Sequence, residues 1–146
     1  MSPPAHLSRP KRIDVLVFDD CSVSRAQTVA ALEGSGLRVE GVGTALEATR
    51  AMLRNDARVV VVDADARGID CDRLVSLLRG VDRLESLRIV MTSAERGPTL
   101  ERVAASASAD AVYVKADDLA VLVDLVREQL GMPPASGTRR RPKGLE

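Results

Sequence analysis

The residues able to do chemistry in this chain are few and well separated. Asp19 and Asp20 are adjacent, Asp63 follows four consecutive valines, Thr92-Ser93 ends an apolar run, and Lys115 ends another. Carboxylates gathered in one place repel one another and stay ionised only beside a cation. An all-oxygen donor set suits a hard ion such as Mg²⁺. A carboxylate beside such an ion can act as a nucleophile toward phosphorus and form an acyl phosphate. A threonine hydroxyl can donate to one phosphoryl oxygen, and a lysine can pair with another as a point charge. Lys115 is the only lysine between residues 12 and 142 in a chain that otherwise uses arginine. Taken singly, each residue has a plainer explanation. Aspartates end strands and cap helices, and a lone threonine or lysine near a turn is commonplace.

What must position them is a set of alternating short elements. Ile13–Phe18 is a β-rich apolar run ending in the two aspartates. Ser24–Glu33 is Ala-rich and ends at Gly34 and Gly36, as helices do. Leu37–Val42 reads as a strand, and Leu46–Arg54 as a helix with Leu46, Met52 and Leu53 on one face. Val59–Val62 is an unalternated β-branched run, the pattern of a central parallel strand covered by helices on both faces. Asp72–Leu78 is a short helix, Leu87–Met91 a strand, Leu100–Ser106 a helix and Ala111–Val114 a strand. Asp117 is the expected N-cap of a last helix, Asp118–Leu130, in which Leu119, Leu122, Val126 and Leu130 recur at helical spacing.

Five βα units with right-handed crossovers make an α/β fold: a doubly wound (βα)5 three-layer sandwich around a five-stranded parallel sheet. In such a sheet ligands bind beyond the carboxyl ends of the strands. Asp19, Asp20, Asp63, Thr92, Ser93 and Lys115 all project to that one edge, and the plain explanation does not account for their coincidence there.

A chain of 146 residues holds one domain of ordinary size, and 45% apolar with 29% charged residues is a globular composition. No apolar run approaches the length of a membrane span, and no secretory signal is visible at the N-terminus. Phe18 and Tyr113 are the only aromatic residues, which weakens any base-stacking surface for nucleic acid. The zero net charge is a cancellation. Residues 13–136 carry 14 basic and 20 acidic groups, while the basic excess sits at the two ends. Residues 1–12 read as a flexible basic arm, 13–131 as the domain, and 132–146 as a flexible Pro/Arg-rich tail or linker. The RRRPK stretch of that tail is read as a solubilising linker, contact with nucleic acid or an anionic membrane surface being the minor alternative.

The segments VLVFDD (15–20), VVVVD (59–63), VMTSA (90–94) and VYVK (112–115) resemble those of response regulator receiver domains, the phospho-acceptor modules of two-component signalling. The resemblance covers roughly residues 13–131. It implies a flavodoxin-like receiver topology. It implies that Asp63 is the phospho-acceptor, that Asp20 binds Mg²⁺ directly with Asp19 acting largely through water, and that the backbone carbonyl of Asp65 is a further ligand. Thr92 would follow the phosphoryl group and Lys115 would pair with it. The implied phosphodonor is a phosphohistidine on a sensor histidine kinase or phosphotransfer protein. Hydrolysis of the aspartyl phosphate would reset the switch. A downstream protein partner would dock on the region 98–130, the domain would be cytoplasmic, and there is room for a homodimer.

The chain departs from the family pattern at several positions. Val112 stands where an aromatic residue usually changes rotamer with the threonine. Tyr113 comes one residue late and should face the other way. Ala116 replaces the proline after the lysine, so a trans peptide is expected there. Arg67 and Cys71 replace a proline and a glycine in the loop after Asp63. The Asp65 side chain either points inward, repelling a phosphoryl group or orienting water, or outward into solvent. Cys21 and Cys71 are expected as two unpaired thiols, a redox pair being the minor alternative. Three functions stay open: a phosphorylatable receiver, a pseudo-receiver that is an interaction module only, and a small Mg²⁺-dependent phosphohydrolase. Enzymatic activity would at most be self-phosphorylation from a donor and slow autodephosphorylation.

Overall fold

The five extended runs read from the sequence each become a strand of one parallel sheet. In the computed structural model, which describes residues 12–66, 73–76, 80 and 86–135, these are β1 (Val15–Phe18), β2 (Val39–Val42), β3 (Val59–Asp63), β4 (Arg88–Ser93) and the more mixed β5 (Ala111–Val114). Their order is β2-β1-β3-β4-β5, every pairing parallel. This is the expected doubly wound arrangement in its flavodoxin-like order. The helices are α1 (Ser22–Gly34), α2 (Ala45–Arg54), α3 (residues 73–76), α4 (Pro98–Ser106) and α5 (Leu119–Gln129). The expected helix Asp72–Leu78 is described only over 73–76, and the loop holding Arg67 and Cys71 lies outside the described residues.

Successive strand residues point to opposite faces, so each strand feeds two cores. Leu16, Phe18, Val60, Val62, Ile89 and Met91 pack with α2, α3 and α4 on one face. Val15, Val17, Val59, Val61, Val90 and Tyr113 pack with α1 and α5 on the other. β1 and β3 are buried along their whole length, which is why neither alternates with polar residues. Each fully buried aliphatic chain is worth about 1.5–3 kcal/mol.

Local chemistry sets the helix ends. At the close of α1, Gly36 takes φ +92°, and its N–H bonds to Glu33 O while that of Leu37 bonds to Leu32 O. That left-handed turn costs a side chain-bearing residue far more than it costs glycine. α2 starts at Thr44, whose hydroxyl accepts the N–H of Glu47 at 3.1 Å.

Two expectations about helix detail are corrected. Leu46, Met52 and Leu53 do not share a buried face: Met52 is fully buried, whereas Leu46 and Leu53 are 59% and 52% exposed. Met52 and Leu53 are about 100° apart on the helix, so only one can face the sheet. The small Ala48 and Ala51 lie beside Met52 and admit the closest approach. The N-cap of α5 is Asp118, not Asp117; its carboxylate accepts the N–H of Ala120 at 3.0 Å. Asp117 instead closes a turn, its N–H bonding to Val114 O. The expected core stripe of α5 is present in Leu122 and Val126, with Leu130 just beyond the helix end.

The chain just past α5 lies against it. Arg127 Nε donates to Pro133 O at 2.7 Å, and the N–H of Ala135 donates to Asp124 at 3.1 Å. Residues 1–11 and 136–146 lie outside the described residues. Among the described residues no helix is long and apolar enough to cross a membrane.

The corrected face of α2 makes a paired prediction. Met52→Ala should lower unfolding free energy by about 2–5 kcal/mol, as buried large-to-small changes do. Leu53→Ala should change it by less than about 0.5 kcal/mol. Urea titration of both variants gives the comparison, and equal losses would restore the sequence-based face.

Candidate functional site

A parallel sheet delivers all its strand carboxyl ends to one edge, and the chemistry-bearing residues follow from that. Asp19 and Asp20 leave β1, Asp63 ends β3, Thr92 and Ser93 end β4, and Lys115 leaves β5. Asp63 and Thr92 are register partners on neighbouring strands. The ladder continues past the strand ends, with the N–H of Ala64 on Thr92 O at 2.7 Å and the N–H of Lys115 on Ser93 O at 2.8 Å. The backbone therefore holds these residues before any side chain contributes.

The side chains converge on one ammonium group. Lys115 Nζ donates to Asp19 Oδ2 at 3.1 Å and lies 3.4 Å from Asp63 Oδ2. The second oxygen of each carboxylate has its own donor. The N–H of Cys21 reaches Asp19 Oδ1 at 3.0 Å, and the N–H of Asp65 reaches Asp63 Oδ1 at 3.0 Å. Both carboxylates are buried, while Asp20 is exposed. Asp19, Asp20 and Asp63 each offer an oxygen, all within 4.8 Å of one another. Three carboxylates around one ammonium leave an excess of negative charge, and oxygen is the donor that a hard divalent cation takes.

The protonation balance follows the same geometry. Burial pushes the Asp63 carboxyl up to about 6, reinforced by the Asp19 charge and opposed by the Asp65 N–H and the Lys115 charge. Burial raises Asp19 too. There it is outweighed by hydrogen bonds from Ser24, Cys21 and Lys115, and the carboxyl ends below its ordinary value. For Lys115, burial opposes the charge, but Asp63 and Asp19 prevail and hold the ammonium above its ordinary range. Of the carboxylate pair that Lys115 touches, Asp63 is the one whose ionisation is least satisfied.

The remaining expected residues fall into place around this centre. Thr92 is buried, and its hydroxyl reaches Val62 O only at 3.5 Å, the outer limit of a hydrogen bond. Together with Tyr113 and Lys115 it lines a cleft of about 420 Å³ bounded by Ser24, Gln27 and Thr28 of α1. A larger cleft of about 570 Å³ between α1 and α5 lies away from these groups. The Asp65 side chain takes the outward of its two expected courses and is exposed to solvent. It turns sideways to β4, accepting Ser93 Oγ at 3.1 Å and the N–H of Ala94 at 2.7 Å. Val112 is 37% exposed and Tyr113 is buried at 2%, on opposite faces as the strand alternation requires. The Tyr113 hydroxyl donates to Asp117 O at 2.6 Å. No cis peptide occurs among the described residues, Ala116 included. Cys21 is free and exposed; Cys71 lies outside the described residues.

Two contributors escape sequence reading. Ser24 bonds to Asp19 from the first turns of α1. Arg25 Nη1 donates to Asp19 O at 2.8 Å. The guanidinium lies where a Cβ on Gly43 would stand 2.5 Å from Nη1, so glycine there makes its room. Neither residue has a neighbouring motif; only the fold of α1 over the ends of β1 and β2 brings them in.

A doubly wound sheet with an acidic pocket and a lysine at its carboxyl edge is thus the class the structure defines. More narrowly, the fold is that of the CheY-like response regulator receiver domains. A putative response regulator from Chloroflexus aurantiacus J-10-fl superposes with TM-score 0.75 at 23% identity, covering 83% of this chain and 99% of its own. The chemotaxis protein CheY4 of Vibrio cholerae gives 0.74 at 19%, covering 81% and 98%. The signal receiver domain of a signal transduction histidine kinase from Syntrophus aciditrophicus gives 0.72 at 21%, covering 90% and 96%. No protein-family model and no curated protein matches the chain. Identities this low establish a common fold.

The raised Asp63 pKa has a stability consequence. Its folded value near 6 exceeds an unfolded value of about 3.9, so the folded state holds this proton more tightly. The contribution of Asp63 to stability therefore falls as pH climbs from about 4 through 6 and stays low above. In EDTA, Asp63→Asn should be more stable than the parent at pH 7.5, by on the order of 1–3 kcal/mol, and the gap should close by pH 4. Denaturant melts at the two pH values measure it; a gap independent of pH would contradict the assignment.

Proposed function

We propose that this chain is a phosphorylatable signalling receiver that takes a phosphoryl group onto Asp63. The observation that carries the reading is the Lys115 ammonium reaching both Asp19 and Asp63, beside Thr92, at one edge of a receiver fold. An ionised Asp63 oxygen attacks the phosphorus of a phosphohistidine. The O–P bond forms as the P–N bond breaks, and the imidazole leaves with the electron pair and takes a proton from solvent. Lys115 keeps Asp63 ionised and pairs with a phosphoryl oxygen. Thr92, weakly held on Val62 O, is free to turn its hydroxyl to another oxygen. The carboxylates of Asp19, Asp20 and Asp63 and the backbone carbonyl of Asp65 would hold Mg²⁺. Bound there, Mg²⁺ supplies neutralisation between the acceptor and the incoming phosphoryl oxygens. Water attack on the acyl phosphate then returns the carboxylate and inorganic phosphate.

The donor in this reading is a sensor histidine kinase or phosphotransfer protein of the cytoplasm. The output is a change in protein contacts through α4, β5 and α5, the region 98–130, including self-association as a homodimer. Val112, not an aromatic residue, occupies the α4-facing position of β5, so any switching there proceeds without an aromatic rotamer change.

The test is labelling by acetyl phosphate. The parent protein should gain one acid-stable, base-labile phosphoryl group, dependent on Mg²⁺ and absent in Asp63→Asn. Lys115→Ala should label roughly 10²-fold more slowly. Absence of label from a folded parent would leave an interaction module without phosphorylation. Turnover of small phosphate esters without stable label would mean a phosphohydrolase.

A further inference from the structure

We propose that the Asp65 carboxylate is a latch on the loop after β4, closed by hydrogen bonds and released by charge placed on Asp63. The inference deepens the receiver reading and rests on it.

The closed latch is explicit in the geometry. Asp65 accepts Ser93 Oγ at 3.1 Å on both oxygens and the N–H of Ala94 at 2.7 Å. The last distance is in the range of charge-assisted hydrogen bonds. Ser93 and Ala94 are the residues directly after Thr92, and Thr92 is the register partner of Asp63. At the other end, the N–H of Asp65 bonds to Asp63 Oδ1 at 3.0 Å. One short turn thus links the acceptor carboxylate to the group that ties down the loop after β4.

The electrostatics make this link sensitive to charge. Both donors described for the Asp65 carboxylate are neutral. Among the described residues Asp65 forms no ion pair, and the nearby ammonium of Lys115 is engaged by Asp19 and Asp63. A phosphoryl group on Asp63 would exchange a single negative charge for about two. That repels the Asp65 carboxylate, and the carboxylate has somewhere to go: Asp65 is solvent-exposed, so water can take over its hydrogen bonds. Ser93 and Ala94 then lose their anchor, and the chain segment carrying Thr92 gains freedom at its outer end. By the same argument, the closed latch opposes phosphorylation.

An asparagine at this position keeps a carbonyl oxygen for Ser93 and Ala94 but removes the charge, so it separates the two halves of the idea. The experiment uses the full ¹⁵N-labelled chain, with Mg²⁺ and beryllium fluoride as a phosphoryl mimic, and reads amide exchange at Ala94. In the parent, Ala94 should be protected without the mimic and exchange at least about ten-fold faster with it. Asp65→Ala should lack the protection from the start. Asp65→Asn should keep it in both states. Asp65→Asn should also bind the mimic roughly five-fold more tightly, as removal of one repelling charge at this range implies. That advantage should shrink toward one in about 1 M salt, where exposed charges are screened; a purely structural role would not respond to salt in this way. Protection of Ala94 that persists in the mimic-bound parent, or an Asp65→Asn protein that releases as the parent does, overturns the latch alone. A mimic that shifts no resonance at Asp63 or Lys115 overturns the receiver reading and the release with it.

Discussion

One ammonium group between two buried carboxylates organises the functional edge of this protein. Lys115 contacts Asp19 and Asp63 at once, and no other cation shares that position in the described contacts. Charges of like sign in a partly dry pocket cannot all be satisfied by a single counter-charge. The structure distributes the deficit unequally. Asp19 collects Ser24, the Cys21 N–H and Lys115, and settles as a firm anion. Asp63, with the Asp65 N–H and a share of the lysine set against burial and the Asp19 charge, is held above the ordinary carboxylate range. Two carboxylates on adjacent parallel strands thereby acquire different chemistry from their surroundings alone.

That inequality depends on register. Phe18 pairs with Val62, and Asp63 with Thr92, so Asp19 and Asp63 emerge level at the edge with Thr92 beside them. A slip of one residue on β3 would reverse every side chain on that strand and send Asp63 to the opposite layer. The slip is opposed by the two cores. Val60 and Val62 fill one layer while Val59 and Val61 fill the other, all nearly fully buried. Hydrophobic burial thus fixes the position of a group that burial itself makes costly to ionise. The core supports the site by making alternatives far worse than an unsatisfied carboxylate.

How much of this could be read from the chain differs by residue. The strands were legible because four successive valines and their counterparts have no other sensible role, and the site followed because strand ends share an edge. The face of α2 was not legible. Leu46 and Leu53 are more hydrophobic than Ala48 and Ala51, yet small residues let the helix approach the sheet, and only Met52 of the large three turns inward. The expected Asp117 cap failed because the turn closed by the Asp117 N–H on Val114 O delays the helix by one residue and leaves Asp118 to cap α5. The sideways course of Asp65 and the approach of Arg25 depend on how neighbouring loops lie. No local pattern encodes that.

The lone tyrosine shows how one displaced residue redistributes tasks. On β5 it faces the α1 and α5 layer, where it is register partner to Thr92 and almost wholly buried. Its hydroxyl donates to Asp117 O, and the N–H of Asp117 returns to Val114 O, so the turn that carries Lys115 is fastened at both ends. That turn has alanine after the lysine, with none of the stiffness a proline ring gives its own φ. The Tyr113 hydrogen bond supplies the restraint instead, from beneath. A side chain committed in this way cannot also swing toward α4, and the α4-facing position belongs to the smaller, partly exposed Val112. The aromatic residue of β5 therefore serves the placement of the lysine, and Thr92 meets it across the cleft beside α1 instead of on the face of α4.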